Sequence, residues 1–120
     1  MFAQINLKTI DGEEKAFKFL ATASTAYRYR QVFNEDLMLQ LNKLRVGADG
    51  GITAGDFTIV NNLAFIMNAQ AEGKDTKKLN FELLLEWCDQ FSAMELMTHA
   101  PEIINLYLGN KETHSTPKKE

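Results

Sequence analysis

Residues 2–20, FAQINLKTIDGEEKAFKFL, decide the fold class. Ala3, Ile5 and Leu7 alternate with Gln4, Asn6 and Lys8. A period of two puts one set of side chains on each face of a half-buried strand. Asp11-Gly12 supplies a turn dipeptide, because glycine tolerates positive φ. Phe17 and Phe19 then alternate with Ala16 and Lys18. The stretch therefore reads as a β-hairpin over 2–20. An isolated hairpin is marginal in water and needs a second layer to rest on.

Working outward, that layer is helical. After Ala21-Thr22-Ala23-Ser24, where Ser24 or Thr25 can cap, a helix over about 25–33 places Ala26, Tyr29, Val32 and Phe33 on one face. Asn34 is its expected stop, since Asn tolerates the left-handed conformation. A second helix, about 35–45, has Glu35 and Asp36 at its start, Lys43 and Arg45 at its end, and Leu37, Leu41 and Leu44 as its buried row. Residues 46–54, VGADGGITA, read as a Gly-rich loop. A third helix, about 55–71, carries Phe57, Val60, Ala64, Met67 and Ala71 at helical spacing. Residues 72–78 are a polar connector. Asn80 caps a fourth helix, about 80–91, and Ser92 with Glu95 forms a capping box for a fifth, about 92–108. Pro101 kinks that helix or opens a new segment, and Gly109 ends it. The expectation is an α+β, mainly α, single domain over 1–110, a hairpin packed on four to five helices. Residues 111–120 form a flexible polar tail.

Bulk numbers bound the function. A chain of 120 residues with 45% hydrophobic content builds its own core. The net charge of −3 argues against general nucleic-acid binding, which uses a basic stripe. Charge is uneven: residues 1–46 hold seven basic and five acidic side chains, and residues 47–120 hold six and eleven. Such asymmetry permits head-to-tail self-association. The single cysteine, Cys88, allows no disulfide within the chain and suits a reducing cytosol. No signal peptide or membrane-spanning run is visible.

Residues 79–110 are the richest in contact-forming side chains. They carry Glu82, Glu86, Asp89, Glu95 and Glu102 with no Lys or Arg, among Phe81, three consecutive leucines, Trp87, Phe91, Met94, Met97, two isoleucines and Tyr107. This is more apolar surface than one small core uses, and it reads as a surface for holding other protein.

Three strings, TAYRYRQVF at 25–33, LAFIMNAQAEG at 63–73 and LEWCDQF…APEIINLYLGN at 85–110, resemble the tail assembly chaperones of long-tailed phages that infect Gram-positive bacteria. The resemblance covers nearly the whole chain except the loop 47–54. It implies a protein made in the host cytoplasm and absent from the mature virion. Such a protein coats the aggregation-prone tape measure protein and helps recruit tail tube (major tail) subunits to it. It further implies a longer frameshift form with a C-terminal extension, this chain being the short form, and self-association into a homo-oligomer. Physically, a client with apolar helical faces calls for adaptable Met-rich and aromatic-rich helices.

Candidate contact residues follow, each with a plainer reading beside it. Phe65 stands among Thr58, Asn61, Asn62 and Asn68 on its helix, away from the apolar arc. It is either covered by the hairpin or loop, or a subunit or client contact. Tyr27 lies with Arg28, Arg30 and Gln31. Stacking on RNA is possible chemistry for such a set, but packing on a neighbour suits an acidic protein better. Trp87 and Phe91 share a wide apolar face with Leu83 and Leu84, where core is the default. Met94, Met97, Leu106 and Tyr107 are the first members of the last helix expected to be exposed. Glu82, Glu86 and Asp89 form a stripe that is a solvated face or meets basic groups of a neighbouring subunit.

Glu95, His99 and Glu102 share a helical face, but one helix gives an incomplete ligand set, and no metal, cofactor or catalytic group is expected. Cys88 has no basic neighbour in its helix to activate it. No catalytic fingerprint is present, so an enzyme is not expected. The alternative to a chaperone is a small structural head–tail connector or tail completion protein of the virion.

Overall fold

The structure, a computed structural model, describes residues 1–48 and 51–109. It is an α+β fold in which a two-stranded antiparallel hairpin packs against a set of helices. Strand β1 (Phe2–Lys8) pairs with β2 (Glu14–Leu20) in the register Phe2↔Leu20, Ile5↔Phe17 and Lys8↔Glu14. Ile5, Leu7 and Phe19 are buried, as the alternation requires. Gly12 turns the chain at φ 92°, and the Thr9 amide donates to the Glu13 carbonyl at 2.7 Å.

Helix α1 (Thr25–Phe33) follows and ends at Asn34, which adopts φ 57°. Ser24 occupies its N-cap position without a side-chain cap bond. The hydroxyl of Thr25 accepts from the Thr22 amide at 2.9 Å and donates to Gln70 Oε1 at 2.8 Å, tying the helix start to the centre of the molecule. Helix α2 covers only Leu37–Asn42, capped by the Asp36 carboxylate on the Leu39 amide. The expected helix over 35–45 is thus shorter at both ends: Asp36 leaves the helix to serve as its cap, and Arg45 enters a strand. Instead of a plain loop, β3 (Arg45–Val46) pairs antiparallel with β4 (Ile52–Ala54). Asp49 and Gly50 of that expected loop lie outside the described residues, as do Asn110 and the expected tail 111–120.

Helix α3 (Thr58–Ala71) is the centre of the fold. It touches β2, α1, α4 (Phe81–Cys88), α5 (Glu95–Thr98) and α6 (Ala100–Leu108). Residues Leu63 through Ala69 are all buried, so this helix has no solvent stripe in its second half. Phe57 stands just before it and is exposed rather than core. The connector after α3 contains a 3₁₀ turn, Thr76–Lys78, capped by Asp75 on the Lys77 amide.

Asn80 caps α4 through Leu83, at 2.8 Å. The fifth expected helix is two, α5 and α6, divided at His99 with Pro101 in the first turn of α6, where its missing N–H costs nothing. The Ser92/Glu95 capping box does not form. Glu95 instead accepts from the Lys8 amide at 2.9 Å, anchoring α5 to the end of β1. Gly109 closes α6 at φ 67°.

Candidate interaction surfaces

The core claims several residues that the sequence offers as contacts. Phe65 is 5% exposed, and its ring lies 5.7 Å from that of Trp87. The reading of Phe65 as a subunit or client contact is corrected: elements wrap α3 on every side, so a residue off the main apolar arc is still enclosed. Leu106, expected among the exposed members of the last helix, is buried and corrected to core, and Phe91, offered as a contact with core as its default, is buried as well. Phe91 sits edge-on to both Phe17 and Trp87, joining the hairpin to α4. Trp87 is half-buried. Its indole Nε1 donates to Asn68 Oδ1 at 3.0 Å, and Asn68 Nδ2 donates to the Lys18 carbonyl at 2.8 Å. Met97 and Tyr107 pack partly against the core. Partial burial pushes the Tyr107 phenol up from its ordinary range, and the nearby Asp36 carboxylate adds to this.

Two open surfaces carry candidate residues, while Phe2, Ile10, Leu39, Val46 and Leu108 are exposed elsewhere. The first is the outer side of α4. Leu84, Trp87 and Cys88, at spacings of three and four, take the inward strip. The three-leucine run then necessarily turns Leu83 and Leu85 outward, because adjacent residues stand about 100° apart on a helix. Phe81, 66% exposed, lies beside Leu85, and Glu82, Glu86 and Asp89 fill the remaining outer face. No ion pair among the described residues engages those three carboxylates. The sequence analysis placed Phe81 and the leucine run in the surplus apolar surface of 79–110 without singling out Phe81 or Leu85 as exposed groups. The run of apolar residues in an eight-residue helix with one inward strip was the available signal. Met94, in the link to α5, is also exposed.

The second surface is the ridge of α1. Tyr27 is 77% exposed and separates two grooves. One, toward α2, is lined by Ala26, Arg30, Asp36, Leu37 and Met38. The other, toward the 3₁₀ turn, is lined by Ser24, Arg28, Gln31, Asp75, Thr76 and Lys77. Arg28 is committed: its guanidinium donates to Ser24 Oγ at 3.0 Å and to Thr76 Oγ1 at 2.8 Å. Arg30 is exposed and lies 3.5 Å from Asp36. Lys74, Lys77 and Lys78 are exposed and enter no ion pair among the described residues.

The polar cluster on α5 and α6 has a different character. His99 Nδ1 lies 2.7 Å from Glu102 Oε1, and its Nε2 lies 3.4 Å from Glu95 Oε2. Glu95 is already held by the Lys8 amide, so this cluster ties hairpin to helices. No group of three or more His, Cys, Asp or Glu side chains among the described residues is arranged to hold a metal ion. Burial raises the Cys88 thiol above its ordinary range, with Asp89 adding to the effect, the reverse of what activates a nucleophile. No described helix is long and apolar enough to cross a membrane.

No protein-family model matches this chain, and no curated protein and no solved structure matches it either.

Proposed function

We propose that this chain is a tail assembly chaperone of a long-tailed phage. It binds and keeps soluble the tape measure protein in the host cytoplasm, and helps bring tail tube subunits to it through an extended frameshift form. The observation that carries this reading is the outer side of α4, where Phe81, Leu83 and Leu85 stand in solvent among three carboxylates that no ion pair among the described residues engages. Large apolar side chains held out on a short, well-capped helix suit transient capture of amphipathic client helices. The carboxylates keep the free protein from collapsing on itself non-specifically. The sequence strings behind the resemblance fall on α1, α3 and α4 through α6, and of these α1 and α4 carry the open surfaces.

The test is co-expression with the tape measure protein encoded beside it, followed by light scattering on the soluble fraction. The expected outcome is a soluble complex that is lost when Phe81 and Leu85 are both replaced by Asp while helicity is unchanged. A client that stays insoluble with the unaltered chain refutes the reading. Presence of the chain in purified particles would favour a connector or completion protein instead.

A further inference from the structure

The hairpin has two long edges, and its hydrogen-bond phase decides what each can do. Met1 and Ala21 exchange bonds at 2.6 and 2.8 Å, and the Thr9 amide donates to the Glu13 carbonyl. The odd-numbered residues of β1 therefore bond to β2, and the even-numbered ones turn their amides and carbonyls away from it. Two outward groups confirm the phase: the Lys8 amide donates to Glu95 on α5, and the Lys18 carbonyl of β2 accepts from Asn68 on α3. The two edges then differ. Helix α3 packs against β2 and takes its edge at Lys18. On the β1 edge the chain's own backbone begins a third strand and abandons it. The Ile10 amide donates to the Gln90 carbonyl at 2.7 Å, Thr9 pairs with Phe91, and the chain then turns away into α5.

We propose that the rest of this edge, Phe2 to Asn6, receives an extended segment of the client as an added strand. The outward amides and carbonyls of Phe2, Gln4 and Asn6 make no hydrogen bond among the described residues, and all three residues are exposed. These groups recur at every second residue, and an extended backbone presents donors and acceptors at that repeat. The usual protections of an edge are missing: β1 has no proline, its register with β2 runs without a bulge from Phe2 to Lys8, and no charged side chain precedes Lys8. Phe2, 58% exposed, stands at one end of the open stretch, with the exposed Gln4 and Asn6 beyond it. A strand with an apolar residue opposite Phe2 and polar residues opposite Gln4 and Asn6 gains cross-strand contacts on the outer face. The identity of the client rests on the chaperone reading, and the site rests on the hydrogen-bond phase. A client held before it folds offers extended segments as well as helices, so this edge complements α4.

Two substitutions at Gln4 test this with the hairpin intact. Gln4→Pro removes an amide that bonds to nothing else among the described residues, and its ring stands where an added strand pairs. Gln4→Thr keeps the amide and favours strand. The probe is a set of synthetic peptides, each of about ten residues so as to cover one strand, spanning the tape measure protein encoded beside the chain. A bound peptide is expected to slow hydrogen exchange at the Gln4 and Asn6 amides, while the Ile5 and Leu7 amides, already bonded to β2, change little. Gln4→Pro is expected to weaken binding by about tenfold or more and Gln4→Thr by less than about threefold, each with an unchanged circular dichroism spectrum.

Peptides that bind without protecting Gln4 and Asn6, or no peptide binding at all, would overturn the proposal. So would equal affinity in the Gln4→Pro chain. Protection of the same amides with no peptide present, rising with protein concentration, would give the edge to a second copy and overturn it as well. If Gln4→Pro alters the fold, amide exchange on the unaltered chain decides the matter by itself. Solubilisation of the whole tape measure protein is read separately, through the α4 double variant, so failure at the edge leaves the chaperone reading to its own assay.

Discussion

The indole of Trp87 and the side-chain amide of Asn68 form the polar joint of this fold. Trp87 Nε1 donates to Asn68 Oδ1 at 3.0 Å while Asn68 Nδ2 donates to the backbone carbonyl of Lys18 at 2.8 Å. One buried amide on α3 thereby fixes α4 on one side and β2 on the other. Asn68 is 4% exposed, so its removal takes a buried amide and both of its bonds out of the interior.

Asn68→Ala is accordingly expected to destabilise the chain by about 2–4 kcal/mol, since it leaves an indole donor and a backbone acceptor unpaired. Trp87→Phe keeps the ring contacts with Phe65 and Phe91 and loses only one bond, with an expected cost of roughly 1–2 kcal/mol. Urea denaturation of both variants checks the order. Equal costs would mean that the Lys18 bond contributes nothing.

Phe65 and Tyr27 form the sharpest contrast between core and surface. Phe65→Ala is expected to cost about 3–5 kcal/mol, enough to unfold much of the population. Tyr27→Ala is expected to shift stability by no more than about 0.5 kcal/mol. Thermal melts of the two variants decide the matter. A Phe65→Ala chain as stable as the parent would return Phe65 to the surface.

The features legible in the sequence are those set within a few residues. Alternation at Ile5 and Leu7 named the buried face of β1. Asn34 and Gly109 stop their helices in the left-handed conformation, and Asn80 caps α4. What escaped the sequence depends on partners far along the chain. Ser92 and Glu95 have capping-box spacing, but the Lys8 amide takes the Glu95 carboxylate. Phe65 looked exposed on its own helical wheel because a wheel holds no record of the elements that surround α3. The β3–β4 pair joins only two residues to three, too short a run for alternation to register. Of the candidate contacts, Tyr27, Met94 and the three carboxylates stand open, whereas Phe65, Phe91 and Leu106 belong to the core.

Gly55 is a position where the backbone leaves no room for a side chain. It adopts φ 119°, and a Cβ there would lie 2.9 Å from both the Lys43 carbonyl oxygen and Leu44 Cδ2. Gly55→Ala is expected to cost about 2–4 kcal/mol, combining left-handed strain with displacement of the α2–β3 link. Gly73→Ala is the control. It shares positive φ but meets nothing within 4 Å, so its cost should be only about 1 kcal/mol. Denaturation midpoints for the pair separate the clash from the strain. Equal losses would place the whole effect in the dihedral angle.

Alkaline pH should weaken the fold in a defined order. Burial raises the thiol of Cys88 and the phenols of Tyr29 and Tyr107, with Asp89, Glu35 and Asp36 contributing in their respective neighbourhoods. In each case the folded state favours the neutral form. As pH rises past the ordinary thiol value of about 8.5, the unfolded chain releases its proton first. From there the unfolded state binds fewer protons than the folded one, so unfolding becomes easier with every further rise in pH. The phenols add to the loss from about pH 10. Stability is therefore expected to be level between about pH 7 and 8, to decline above that, and to decline later in a Cys88→Ala variant. The same burial predicts slow alkylation of Cys88 by iodoacetamide near neutral pH relative to a free thiol, with the rate climbing only in alkaline buffer. Rapid alkylation at neutral pH, together with an unchanged urea midpoint through pH 10, would show that the thiol stands in water and that α4 does not pack on α3 through Cys88.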